Sequence, residues 1–279
     1  MPPLSRGTRN APPTGRVPGV RRRLEPVYSS AVALGRFFFG GLLQLRPTVS
    51  GAERIPSSGA AVVAITHFGY MDFALVEWVA WLRTRRRIRF MVTRRAADKP
   101  VVGWLLGRMR HIPVEIGAGR DAYEHAVSAL QDGELVGVFP EAGVSASFTV
   151  RELKTGAVRM AAAAGVPVIP VVVWGGQLLR TKNHRAQVRE AFRAPIRVSV
   201  GTPIEVGRSD DPAEKTAELR SHLQALLDDA QKTYPLSGAG KWWQPAHLGG
   251  SAPTPAAAAV AEAERQARRL AAREQTTSD

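Results

Sequence analysis

The chain has 279 residues and no cysteine, so neither disulfide bonds nor thiolate metal sites contribute to its structure. With 44% hydrophobic and 22% charged residues, it has the composition of a folded globular protein. Its formal net charge of +14 favours anionic partners such as phosphorylated cofactors, anionic lipid or nucleic acid. The six histidines lack metal-binding spacing, so no metal site is predicted, and no nucleic-acid-binding module is recognised.

The N-terminal segment is first basic and then apolar. Residues 1–23 contain six arginines and no acid, and their composition predicts a disordered leader. An apolar helix is predicted at about 27–45, but Arg36 and Gln44 make it too polar to span a membrane comfortably. Behind a basic leader, such a helix is typical of an anchor that lies in the headgroup region of a membrane. The alternative is a first core helix that carries a cluster of phenylalanines.

Beyond a loop at 56–59, segments of strand and helix type alternate along the chain. The predicted strands lie at 61–66, 88–93, 112–115, 135–139, 168–173 and 196–200. The predicted helices lie at 71–83, 101–109, 120–131, 153–164 and 213–232. This alternation predicts an α/β domain with a mostly parallel or mixed sheet covered by helices. We assign residues 24–235 to this domain and residues 236–279 to a C-terminal tail that is partly helical or disordered.

The segment from Thr66 to Asp72 places a histidine at the end of a predicted buried strand and an acid where the next helix begins. Open α/β sheets bind ligands at the ends of such strands. A neutral imidazole can take a proton from an alcohol, and a carboxylate on its far nitrogen holds it in one tautomer. Gly69 allows the tight turn that brings Asp72 beneath the ring of His67. Because H-x4-D is a common pattern, the alternative is a chance histidine beside a helix-capping aspartate.

A second apolar strand, at 135–139, also ends in polar residues.

Two competing kinds of site are weaker. The chain lacks the G-x-S-x-G elbow of serine hydrolases. The segment 117–122 matches the dinucleotide pattern G-x-G-x-x-A, but the strand before it is short and contains Pro113. Asp121 would also put an acid beside the pyrophosphate.

Four ordered blocks of the sequence carry a family resemblance. The blocks are H-x4-D at 67–72, Phe139-Pro140-Glu141, the segment 153–161, and Val166-Pro167-Val168-Ile169-Pro170. In order and spacing they resemble the PlsC-type glycerolipid acyltransferases, which act on 1-acyl-sn-glycerol-3-phosphate or other lysophospholipids. The resemblance extends over about 60–205, and it rests on the combination of blocks, since no single block is decisive.

This resemblance implies an O-acyltransferase in which His67 is the general base and Asp72 orients it. A hydroxyl of a lysophospholipid-like acceptor would attack the thioester of acyl-CoA or acyl carrier protein, which are substrates and not bound cofactors. The resemblance implies that substrate is bound by Glu141, Gly143, Ser145 and Lys154. Arg120, a basic residue close to these blocks in sequence, is added to this set. The implied partner is an anionic membrane surface and not nucleic acid. The implied location is the cytoplasmic face of the cell membrane, with the protein bound as a peripheral or monotopic protein.

Two arginines of the family pattern are replaced, one by Val144 after F-P-E and one by Ile116. The fork-shaped phosphate contact of a guanidinium is therefore lost at both positions. One hypothesis is that Arg120, Arg151 or Lys154 compensates from nearby. Another is that the acceptor differs from lysophosphatidate and is a lysophospholipid with a headgroup, a glycolipid or an amino-lipid.

The alternative from a different class is a non-catalytic lipid- or nucleic-acid-binding protein that retains the scaffold. The lost arginines would then mark lost activity. The presence of both His67 and Asp72 argues against this alternative.

Overall fold

The computed structural model describes residues 25–115, 119–184 and 187–277, with side chains up to residue 268. The strands are β1 Thr48–Ser50, β2 Ala61–Ile65, β3 Ile88–Thr93, β4 Ile112–Val114, β5 Leu135–Val138, β6 Val168–Trp174 and β7 Arg197–Val200. The helices are α1 Pro26–Arg36, α2 Asp72–Thr84, α3 Arg94–Ala97, α4 Pro100–Arg108, α5 Arg120–Gln131, α6 Gly156–Ala164, α7 Val188–Ala191, α8 Pro212–Lys232 and α9 Pro255–Thr277. A π-helical segment, Phe37–Leu42, continues α1.

The strands form a mixed sheet in the order β1-β7-β6-β2-β5-β3-β4. Neighbouring strands are parallel except for β6 and β7, which are antiparallel. Every residue of β2 is buried, and Ala64 near its end pairs with Val138 at the end of β5. The carboxyl ends of these two strands therefore lie side by side at one edge of the sheet. The predicted α/β class with a mixed sheet is confirmed.

The helices that cover the sheet bury apolar residues at intervals of three and four positions, the spacing of one helix face. In α8 this face includes Leu219, Leu223, Leu227 and Ala230, and it packs against β6. All seven residues of β6 are buried. A strand buried along its whole length is typical of a sheet that is covered by helices.

The predicted elements agree with the observed ones to within a few residues at each end. β1 and the single-turn helices α3 and α7 are not predicted, because segments of three or four residues carry too little periodicity. Pro170 predicts a sheet edge or a bulge. The edge is wrong, since β6 has neighbours on both sides. The bulge is confirmed, because between the pairs Val171–Val200 and Val168–Ile204 three residues after β7 lie opposite two of β6.

The apolar N-terminal helix is both a core element and a surface element. Phe39, Leu43 and Leu45 belong to the main hydrophobic core. Leu34 and Phe37, by contrast, are each 68% exposed. Across the described ranges, no helix combines the length and the apolar character needed to cross a membrane. The basic leader lies outside the described residues.

A buried ionic network ties α1 to the sheet. Arg89 of β3 is only 5% exposed and donates to Glu25, just before α1, and to Glu134, just before β5. Arg86 is also partly internal and donates to three backbone carbonyl oxygens. These two arginines therefore hold the fold together and add little to the positive surface that the net charge predicts.

The chain beyond residue 235 also packs against the domain. Trp243 and Ala252 belong to the main hydrophobic core. In α9, the carboxylate of Glu262 forms ion pairs with Arg151 at 3.0 Å and with Lys182 at 3.3 Å. The sequence of the tail shows no apolar stripe, and α9 is attached through charged side chains.

Glu77 of α2 is a buried carboxyl group that binds the start of β3. Its Oε2 accepts the backbone N–H of Ile88 at 3.0 Å, and the hydroxyl of Tyr28 donates to the carbonyl oxygen of Ile88 at 2.8 Å. Burial raises the pKa of Glu77 from 4.5 to about 7, and the hydrogen bond from Ile88 opposes this only in part. In the folded state the carboxyl group therefore stays neutral well above the pH at which a solvated glutamate ionises.

We expect the free energy of unfolding to fall as the pH rises from about 4.5 to about 7, because the folded state retains the Glu77 proton that the unfolded state has released. Glu77→Gln keeps the acceptor for Ile88 and removes the charge. Its stability relative to the wild type should therefore rise by roughly 3 kcal/mol over this interval, at about 1.4 kcal/mol per pKa unit. Urea unfolding of both proteins at the two ends of the interval measures this change. A stability difference that is independent of pH would contradict it.

Candidate active site

His67 follows β2 and Asp72 opens α2, with a four-residue turn between them. The imidazole Nδ1 lies 3.5 Å from Oδ2 of Asp72, and the side chains of the two residues are 17% and 0% exposed. This contact is longer than a usual hydrogen bond, and Nδ1 has no hydrogen-bond partner among the described residues. The turn therefore brings the acid to the imidazole and leaves the ring partly accessible to solvent.

Asp72 is held by the turn that it closes. Its Oδ2 accepts the backbone N–H groups of Phe68 at 2.8 Å and of Gly69 at 2.7 Å. No N–H of α2 donates to its side chain, so the alternative of a helix-capping aspartate is wrong. Burial raises the pKa of Asp72, although the interactions with His67 and with these two N–H groups oppose the rise. The carboxyl group is thus fixed with one oxygen facing the imidazole.

Two glycines allow this turn to pack. A Cβ at position 69 would lie 2.6 Å from the carbonyl oxygen of Gly176, and a Cβ at position 176 would overlap Oδ1 of Asp72. Gly69 is therefore required by a close approach of backbone and not by a positive φ angle. Gly176 is not predicted, because nothing in the sequence marks the second glycine after β6 as a neighbour of the histidine turn.

The segment after β5 clamps the backbone of His67. Oε1 of Glu141 accepts the N–H of His67 at 3.0 Å, and Oε2 accepts the N–H of Arg151 at 3.1 Å. On the other side, the N–H of Ser145 donates to the carbonyl oxygen of His67 at 2.8 Å. Burial raises the pKa of Glu141 to about 7 in spite of its two hydrogen bonds. The polar segment after β5 therefore holds the histidine turn after β2 in place.

The same segment also contacts the imidazole ring. Phe139 stacks on His67 with a centroid separation of 4.1 Å and an angle of 27° between the planes. Ala142 has a φ angle of +54°, in the left-handed region that favours glycine. A left-handed conformation costs a residue with a side chain about 1–2 kcal/mol, and such strain is concentrated at functional sites.

Two of the other predicted substrate-binding residues lie close to this clamp. The side chain of Ser145 is buried and donates to the carbonyl oxygen of Thr149. Gly143 is half-buried next to the guanidinium of Arg151. Val144, which replaces an arginine of the family pattern, is buried, whereas Ile116 lies outside the described residues. The binding roles of Ser145 and Gly143 stay predictions.

The remaining two predicted residues are exposed. The side chain of Lys154 faces solvent, and its backbone N–H donates to the carbonyl oxygen of Pro140 at 2.9 Å. Arg120 opens α5 and forms an ion pair with Glu124 at 2.9 Å. Their contacts with substrate also stay predictions. In the part of the chain that the structure describes, acidic and histidine side chains form no cluster of three that could hold a metal ion.

A basic segment that is not predicted from the sequence borders the histidine turn. Tyr70 donates its N–H to the carbonyl oxygen of Arg180 at 2.9 Å, and the guanidinium of Arg180 lies 5.8 Å from the centre of the Tyr70 ring. The hydroxyl of Thr181 donates to the carbonyl oxygen of Phe68. Lys182 follows directly. The segment belongs to no motif, so only the folded chain reveals its position.

A histidine paired with a buried acid at the carboxyl edge of an α/β sheet defines a class of site suited to proton transfer. Residues 46–174 match the family model described as Acyltransferase. The chain is 26% identical over 185 residues to a chloroplastic 1-acyl-sn-glycerol-3-phosphate acyltransferase of Arabidopsis thaliana. This aligned segment covers 64% of this chain and 49% of that protein. The chain is also 29% identical over 137 residues to the 1-acyl-sn-glycerol-3-phosphate acyltransferase of Bacillus subtilis, with coverage of 48% and 66%.

The fold is shared with the crystal structure of the 1-acyl-sn-glycerophosphate acyltransferase PlsC from Thermotoga maritima. The TM-score is 0.62 at 21% identity, over 75% of this chain and 81% of that one. Residues 46–174 therefore form an acyltransferase-type domain, and the relatives together with the shared fold support its likeness to the PlsC-type glycerolipid acyltransferases. The match spans about half the length of the plant relative.

Proposed function

We propose that the protein transfers a fatty acyl group from acyl-CoA or acyl carrier protein to a hydroxyl of a lysophospholipid-like acceptor. His67 is the general base, and Asp72 positions it. The observation that carries this proposal is the partly exposed imidazole that lies 3.5 Å from a fully buried carboxyl oxygen. The activity in the names of the Arabidopsis and Bacillus relatives supports the same reaction class.

In the proposed reaction, Nδ1 of His67 carries the proton and faces Asp72, which leaves Nε2 as the base. Nε2 takes the proton of the acceptor hydroxyl while the hydroxyl oxygen forms a bond to the acyl carbon of the thioester. The carbon–sulfur bond then breaks, and the imidazolium returns the proton to the leaving thiolate. The negative charge of Asp72 stabilises the imidazolium between these two transfers.

The clamp around His67 supports this assignment. A general base must be held within hydrogen-bond reach of the proton that it takes. The backbone bonds to Glu141 and Ser145 fix the main chain of His67, and the stack on Phe139 restricts its ring. We propose that Glu141 acts through His67 as a positioning residue.

The acceptor is tested with a panel of lipids. The full chain is incubated with isotope-labelled acyl-CoA or acyl carrier protein and with lysophosphatidate, lysophosphatidylglycerol, a monoacylated glycolipid or an amino-lipid. Mass spectrometry should reveal a labelled acylated product that requires both donor and acceptor. If no acceptor in the panel is acylated, the proposal is refuted, and the non-catalytic alternative is favoured. Co-sedimentation with DNA or with phosphatidylglycerol vesicles then separates its two forms.

We also propose that the protein is peripheral or monotopic at the cytoplasmic face of the membrane, bound to anionic lipid. Leu34, Phe37 and Leu42 are 68%, 68% and 60% exposed along α1 and its π-helical continuation. A groove lined by Phe37, Trp78 and Leu82 adjoins them. Exposed apolar side chains together with a positive net charge favour binding in the headgroup region of anionic membranes.

Replacing Leu34, Phe37 and Leu42 together by serine should release the protein from phosphatidylglycerol-rich vesicles. Full burial of one large apolar side chain contributes roughly 1.5–3 kcal/mol, so we expect the partition coefficient to fall by about two orders of magnitude or more. Vesicle co-sedimentation measures this fall. Val188→Ser, at a position 79% exposed on α7, is the control and should leave binding unchanged. Equal sedimentation of the triple variant and the wild type would contradict this anchor.

A further inference from the structure

We infer that Arg151 and Lys182 form a binding site for a phosphate group of a substrate, and that Glu262 of α9 occupies this site in competition with that phosphate. The inference rests on the proposed acyl transfer, whose substrates carry phosphate on the acceptor, the donor or both. It assigns a regulatory role to the C-terminal helix and a new role to two basic side chains outside the family motifs.

The ion pairs of Glu262 have the geometry of a bound anion. Nη2 of Arg151 lies 3.0 Å from Oε2, and Nζ of Lys182 lies 3.3 Å from Oε1, so one carboxylate bridges two cations. Nη1 of Arg151 is buried and has no hydrogen-bond partner among the residues that the structure describes. A carboxylate offers two oxygens, whereas a terminal phosphate offers three and can satisfy this remaining donor as well. The cation pair is therefore better suited to a phosphate than to the carboxylate that it holds.

The cation pair borders the histidine turn. The backbone N–H of Arg151 donates to Glu141, whose other oxygen accepts the N–H of His67. Lys182 follows Thr181, which donates to the carbonyl oxygen of Phe68. A phosphate held between the two cations would therefore be bound beside the two segments that contact the histidine turn.

Arg151 also lies close to Val144, the position at which this chain lacks an arginine of the family pattern. Its Nη1 is 3.5 Å from the place that a Cβ of Gly143 would occupy, and Gly143 directly precedes Val144. Arg151 therefore supplies, from a neighbouring segment, the forked donor that Val144 cannot provide.

The attachment of α9 is weak enough to be displaced. Besides Glu262, the helix contacts this region through Arg265, which donates to Asn183. Val260 on the same helix is 60% exposed, so little apolar surface holds it there. Partly exposed ion pairs contribute little to stability, and a doubly charged phosphate competes well with a single carboxylate for two cations.

Steady-state kinetics of the full chain test this competition. Glu262→Gln should lower the KM for the phosphate-bearing substrate about three- to tenfold, and Arg151→Gln or Lys182→Gln should raise it about tenfold or more, with kcat little changed. Glu264→Gln is the matched control, because Glu264 lies on the same helix and pairs only with Arg268 among the described ion pairs. If Glu262 merely fastens the helix, its replacement leaves KM unchanged, and the inference is overturned.

Paired substrates identify which phosphate is bound. Lysophosphatidate is compared with monoacylglycerol as acceptor, and acyl-CoA with acyl-pantetheine as donor. An acceptor phosphate predicts that only the KM for lysophosphatidate responds to Glu262→Gln, and a donor phosphate predicts that only the KM for acyl-CoA responds. Equal responses for a phosphate-bearing substrate and its phosphate-free counterpart would overturn the assignment.

A measurement without turnover separates this inference from the proposed function. Inorganic phosphate at constant ionic strength should increase amide hydrogen exchange in residues 255–277 of the wild type but not of Arg151→Gln. A chain that acylates no acceptor would refute the proposed function, while the exchange experiment would still decide whether the phosphate site exists. An equal effect of chloride and phosphate would overturn the site.

Discussion

Replacing His67 by alanine should abolish acyl transfer and leave the fold intact. The backbone bonds of residue 67 to Glu141 and Ser145 do not depend on its side chain, so the turn keeps its main-chain contacts. General-base catalysis contributes about 10²–10⁴-fold, and we expect a fall in kcat of that size. Initial rates with the acceptor identified by the lipid panel measure it. A variant that retains more than about a tenth of the wild-type turnover would rule out His67 as the base.

His125→Ala is the matched control for this experiment. His125 is exposed on α5 and takes no part in the described contacts of the histidine turn. Its replacement should change neither kcat nor the thermal unfolding midpoint. Similar midpoints for both variants would show that loss of activity in His67→Ala does not come from unfolding.

The sheet was largely predictable because its strands are short apolar runs between turn signals. β2 and β6 are buried along their whole length, and their sequences are correspondingly uniform. β1 has three exposed residues and no such signal. It pairs with β7 through backbone hydrogen bonds, which the pattern of side chains does not reveal. The π-helical geometry of Phe37–Leu42 likewise has no counterpart in hydrophobic periodicity.

The candidate site was predictable where it is local in sequence. Asp72 approaches His67 because one short turn joins them, and that turn is visible in the sequence. The bond from His67 to Glu141 joins residues 74 positions apart and depends on the pairing of β2 with β5. Glu141 was therefore predictable as a residue of the candidate site but not as the acceptor for the backbone N–H of His67.

The most distant contact was not predictable at all. Glu262 meets Arg151 and Lys182 only because α9 returns to the carboxyl edge of the sheet. The tail lacks an apolar stripe, and charged contacts leave no periodic signal in a sequence. The local sequence thus predicts the proposed base and its acid, whereas the surrounding charges are visible only in the tertiary structure.

Replacing Asp72 by asparagine should separate the charge of this residue from its shape. An amide oxygen can still accept the N–H groups of Phe68 and Gly69, so the turn should remain closed. Since burial disfavours the charged carboxylate, the asparagine variant should be at least as stable as the wild type. Without the negative charge, however, the imidazolium of His67 is no longer stabilised. We therefore expect kcat/KM to fall about 10²-fold or more, by analogy with hydrolytic triads.

Asp121→Asn is the matched control, because Asp121 also lies in the first turn of a helix but is exposed. Combining Asp72→Asn with His67→Ala should reduce activity no further than His67→Ala alone, since groups that act as a unit are not additive. Full additivity of the two replacements would mean that Asp72 acts independently of the imidazole. Activity within about threefold of the wild type in Asp72→Asn would show that its charge is not used, and Asp72 would then only shape the turn.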